Sequence, residues 1–114
     1  MKLITRLASL SLLLCTSAAF TPAAQASDDA KINARIGSWG RNCKNAVAAK
    51  YPNASMADIS VELGATLKQS IDAGQTTLKD INKQGLSYNW TVKKHIGYCN
   101  TDGKGNVTEL VKQQ

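Results

Sequence analysis

Apolar positions recur at helical spacing between Ile32 and Val47. Ile32, Ile36, Trp39, Cys43 and Val47 fall four, three, four and four residues apart, which puts them on one stripe of a 3.6-residue period. Lys31, Arg35, Asn42, Lys44, Asn45 and Lys50 fall mostly away from it. The spacing predicts an amphipathic helix over 32–52. Ser27, Asp28 and Asp29 suit its capped, dipole-positive start. Pro52 stops it, because a residue preceding proline is pushed out of the α region. Gly37 and Gly40 each cost about 1 kcal/mol against alanine in a helix, so a bend at the glycines, or a start after Gly40, stands beside the unbroken helix.

The period then changes from 3.6 to 2. Ile59, Val61 and Leu63 alternate with Asp58, Ser60 and Glu62, the pattern of a half-buried strand. Leu86, Tyr88, Trp90 and Val92 alternate with Ser87, Asn89, Thr91 and Lys93 and form the clearest strand, rich in aromatic and β-branched residues. Residues 95–100 and 107–111 read as two further strands, the last at an edge, joined by a glycine-rich turn over 101–106. Ile96 and Cys99 have opposite parity, which a bulge near Gly97 would reconcile. Between Gly64 and Gly85 the pattern is open. Leu67 and Ile71 fit a helical turn or a strand. Residues 76–84 fit a short helix capped by a threonine and closed by Gly85, with Leu78 and Ile81 inward, or else a strand. The fold this predicts is α+β: an N-terminal helix packed on an antiparallel sheet of about four strands, with room for a second short helix.

The first residues change the picture of where such a domain works. Lys2 and Arg6 precede a short apolar stretch, Leu7 to Leu14, and Ala24-Gln25-Ala26 offers a small-residue cleavage site. That is the layout of a secretory signal peptide spanning 1–26, too short in its apolar part for a membrane span. A lipoprotein reading of Cys15 fails on Leu14, where a small residue is needed. The expected mature chain, residues 27–114, is one small domain, secreted or periplasmic. A core of that size is marginal and usually needs a covalent staple. Cys43 and Cys99 are the cysteines left, and in an oxidising compartment a disulfide between them is the direct reading. It closes a loop of roughly 57 residues, for which the chain-entropy treatment gives about 4 kcal/mol.

The chain is basic, with a formal net charge of +6 at pH 7, part of it in the leader. No run of lysines and arginines alternates with aromatics, so the charge reads as a solvated surface rather than a nucleic-acid stripe. Asn100 to Val111 superficially matches a calcium loop, but Lys104 and Val111 stand where oxygen ligands belong. His95 is the only histidine. No nucleophile motif accompanies it, and the carboxylates lie singly rather than as an acid/base pair. Asn53, Asn89 and Asn106 head N-glycosylation sequons by spacing alone. Nothing points to a catalytic residue, a cofactor or a metal. Trp39 and Trp90 fall on core faces and are expected to pack together. Either one, if exposed, would be the natural anchor for a partner.

Four segments, Ala46 to Ala54, Ile59 to Leu63, Tyr88 to Val92 and Asp102 to Val107, together resemble a PepSY domain: a helix ending in a Tyr-Pro turn, a strand, a Tyr-containing strand and a closing Asp-Gly hairpin. The segment from Gly64 to Gly85 and the cysteine pair depart from that pattern. The resemblance implies a small secreted or periplasmic α+β module, of a kind proposed to restrain peptidases or to act in the cell envelope. It carries over no catalytic residue. The expected function is an exported, non-enzymatic binding or accessory module, monomeric, with an unknown protein partner in the envelope or outside the cell. An electrostatic binder of nucleic acid or another anionic polymer is the first alternative, and a small hydrolase using His95 the second.

Overall fold

The computed structural model describes residues 23–113, so the basic and apolar parts of the expected signal peptide and Cys15 lie outside the described residues. The helical stripe becomes α1, Ala23–Lys50, a single helix of 28 residues. Alanines at 23, 24 and 26 carry it upstream of the expected caps, so Ser27, Asp28 and Asp29 lie within the helix rather than at its start. It is also unbroken at both glycines. Gly40 is tolerated because the Tyr88 ring packs against it: a Cβ there would sit 3.2 Å from Tyr88 Cε2. The Tyr88 hydroxyl donates to the Ile36 carbonyl at 2.6 Å, so the helix gains a tertiary bond where it lacks a side chain.

A short 3-10 turn, Met56–Asp58, leads into a four-stranded meander. Its strands are β1 (Ile59–Leu63), β2 (Ser87–Val92), β3 (His95–Thr101) and β4 (Val107–Lys112), all antiparallel and ordered β1-β2-β3-β4. The open segment resolves into two helices, α2 (Ala65–Asp72) and α3 (Leu78–Gln84). In α3 the threonine cap is Thr77. Its hydroxyl accepts from the Asp80 backbone N–H, and the Asp80 carboxylate accepts from the Thr77 N–H at 2.9 Å. Gly85 ends the helix at φ +82. Ile81 is fully buried and Leu78 half-buried, as expected of that pair.

Helix α1 packs across one face of the sheet. Its Ile32, Trp39, Cys43 and Val47 meet Ile59, Leu86, Tyr88, Trp90, Val92 and Cys99 in one core. The Cys43–Cys99 disulfide, with Cα atoms 6.0 Å apart, ties the helix to β3 across 56 positions of sequence. The parity conflict in β3 is settled without a bulge at Gly97. Pairing between β2 and β3 is regular from Ser87↔Asn100 to Val92↔His95. Ile96 simply faces outward, 39% exposed, while Gly97 and Cys99 face the core. The register shift comes later, between Asn100 and Thr101 on the β4 side. There the buried Thr101 hydroxyl accepts the Leu86 N–H at 3.0 Å. No helix among the described residues is long and apolar enough to cross a membrane.

Candidate binding groove

Both tryptophans lie in the core, each against its own glycine. Trp39, 7% exposed, sits beneath the β3–β4 turn. A Cβ on Gly105 would run into its indole, the Arg35 guanidinium lies 5.9 Å from its ring centre, and the neighbouring Asn42 amide donates to the Gly105 carbonyl at 2.9 Å. Trp90, 1% exposed, lies over Gly97 and donates from Nε1 to the Tyr98 carbonyl at 3.0 Å. Neither indole offers a partner an exposed ring. Each instead has a glycine beneath it because a side chain there would occupy the ring's place.

His95 stacks on Tyr51, ring centres 5.0 Å apart and 18° from parallel, and Tyr51 in turn tilts against Trp90 at 5.7 Å. The shallow cup there holds about 300 Å³ and is lined by Lys50, Pro52, Lys93 and their neighbours. No carboxylate lines it, so the histidine has no acid there to orient it as a base. In the β3–β4 turn Asp102 is committed locally. Its carboxylate accepts from the Lys104 and Asn106 backbone N–H groups at 2.9 and 3.0 Å. Those bonds hold its ionisation below the usual carboxylate range and close the turn as an Asx-type loop.

The surface is indented along the flank of α1 that faces β1 and α2. Three contiguous hollows make one groove. The central one, about 570 Å³, has a floor of Ile36, Leu63 and Ile71 with Asn33, Glu62 and Asp72 around it. It shares Asn33, Ile71 and Asp72 with a hollow of about 240 Å³ that reaches Asp29. It shares Ile36 and Leu63 with a third, about 290 Å³, that runs past Gly37 and Gly40 to Arg41 and Lys44. From Asp29 to Lys44 the groove follows α1 for about 22 Å at 1.5 Å per residue.

The local sequence explains why this groove stays open. Gly37 removes a side chain from that flank of α1, where a Cβ would meet only the Arg41 guanidinium, at 3.7 Å, whereas the Tyr88 ring closes over Gly40. Tyr88 forms part of the wall, its hydroxyl held by Ile36, and burial pushes that hydroxyl's ionisation upward against an opposing hydrogen bond from the Gly40 backbone. Helix α2 forms the other bank. It spans only 8 residues, has no side-chain cap at Gly64 and touches the core through Leu67 and Ile71. Along the sequence Ile36 reads as core and the glycines as weak points of the helix. That Gly37 opens onto a groove is legible only with β1 and α2 in place.

No family model matches this chain, and the searches of curated proteins and of solved structures returned no match either.

Proposed function

We propose that the protein is an exported, non-enzymatic binding module whose site is the groove along α1. The groove carries the reading: an apolar floor of Ile36, Leu63 and Ile71 with polar and charged banks is the make-up of a recognition site. The disulfide and the leader-like first residues support export, since such bonds persist in oxidising compartments. The resemblance to PepSY domains points the same way, toward a small envelope or secreted accessory module.

Affinity capture tests this. The tagged chain, disulfide intact, retains a protein from an envelope or culture-fluid extract. Gly37→Gln, which puts a helix-favouring side chain into the groove, releases it without lowering the melting temperature. Retention unaffected by Gly37→Gln would move the site elsewhere, and saturating captures that return nothing would undo the reading.

A further inference from the structure

The groove is electrically polarised along its length. Asp29 and Asp72 border the end near the start of α1, and beside the central hollow stand Glu62 and Lys68, the latter tied to Asp72 at 3.0 Å. Arg41 and Lys44 border the other end. This separation stands out on a chain whose net charge is positive. Between the ends lies a continuous apolar floor. A length of about 22 Å matches six or seven residues of extended chain at about 3.3–3.6 Å each.

From this juxtaposition we infer that the groove takes a linear peptide segment of a partner protein: apolar at its centre, basic at the end beside Asp29 and Asp72, acidic at the end beside Arg41 and Lys44. The inference rests on the binding-module reading and adds the chemistry of the occupant. The apolar centre supplies contact area. The two charged ends set direction and register, because reversing the segment in the groove puts like charges together at both ends. Short α2, uncapped at its start, is the bank able to shift for the side chains that enter.

Four synthetic peptides of equal length and equal apolar content decide the matter. One carries lysines at one end and glutamates at the other, one lysines at both ends, one glutamates at both, and one serine and glutamine at both ends. Binding is followed by amide chemical shifts at Ile36, Leu63 and Ile71 and by fluorescence anisotropy. The dipolar peptide is expected to bind about tenfold or more tighter than the others, with the preference fading as salt rises. In the Arg41→Glu, Lys44→Glu double variant the groove is acidic throughout, and the preference passes to the all-lysine peptide. Equal affinities for all four peptides, or a dipolar preference that survives in the double variant, would overturn this inference while leaving the groove as a binding site. Absence of shifts at the three groove residues with every peptide would overturn both. Unchanged circular dichroism of the double variant shows that the exchange of preference is not a loss of fold.

Discussion

Glycines carry opposite meanings at different places in this chain. At Gly97 a Cβ would overlap the Val111 carbonyl and come within 2.5 Å of the Trp90 ring. Neither neighbour can retreat, since Trp90 is buried and pinned to the Tyr98 carbonyl. Gly97→Ala is therefore expected to lower stability by about 3 kcal/mol, in the range of core overpacking, read from the midpoint of a urea melt. Gly37 is the reverse case. It is exposed, at helical backbone angles, with only the Arg41 tip nearby, so Gly37→Ala is expected to raise stability by up to about 1 kcal/mol. A paired urea titration of the two variants would show midpoints moving in opposite directions. Lys93 is a third case. It stands at φ +54 in the two-residue turn between β2 and β3, where an L side chain is disfavoured. Lys93→Gly should gain rather than lose stability, visible as a higher melting temperature.

At the scale of elements, α3 rests on its capping box. Only Ile81 of its residues is fully buried, so the reciprocal bonds between Thr77 and Asp80 matter more than in a helix with a wide apolar face. Thr77→Ala is expected to cost about 1 kcal/mol, with amide exchange speeding up most in residues 78–84. The same cap makes stability depend on pH. The Thr77 backbone N–H, then its hydroxyl, hold the Asp80 carboxyl below the usual carboxylate range. Asp102 is lowered likewise by the Lys104 and Asn106 N–H groups. A carboxyl with a depressed folded value stabilises the fold above its unfolded value and loses that contribution as pH falls through the folded one. Melting temperature is thus expected to hold down to about pH 4 and to fall below it. The fall should be shallower in Asp80→Asn and Asp102→Asn. A wild-type acid limb no steeper than that of either variant would contradict the assignment.

At the scale of the whole molecule, the described residues are cross-linked at long range by one disulfide. The helix and the sheet are separate stretches of sequence, and the Cys43–Cys99 bridge joins them across 56 positions. In the chain-entropy treatment its loss costs about 4 kcal/mol, which is much of the net stability of a small domain. Cys43→Ala with Cys99→Ala is expected to lower the unfolding free energy extrapolated from a guanidinium melt by about that amount. Peptide binding in the groove should weaken in parallel, because the groove exists only where α1 is held against β1 and α2.

Periodicity along the chain was enough for the strongest elements. The stripe from Ile32 to Val47, the alternation from Leu86 to Val92 and the pairing of Cys43 with Cys99 were legible, because each depends on neighbours a few residues away or on a forced choice; the threonine–glycine bracket around α3 suited a helix but left a strand open. Packing across the fold settled the remainder. It carried α1 unbroken through Gly37 and Gly40, because the ring and hydroxyl of Tyr88 close on that flank from 48 or more positions away. It made α2 a helix, turned Ile96 outward without a bulge, and buried Trp39 and Trp90 over glycines that adjoin them in space. It also gathered Asp29, Ile36, Leu63 and Ile71 along one groove. Such outcomes depend on which distant side chain fills a given space, and a one-dimensional pattern does not carry that information.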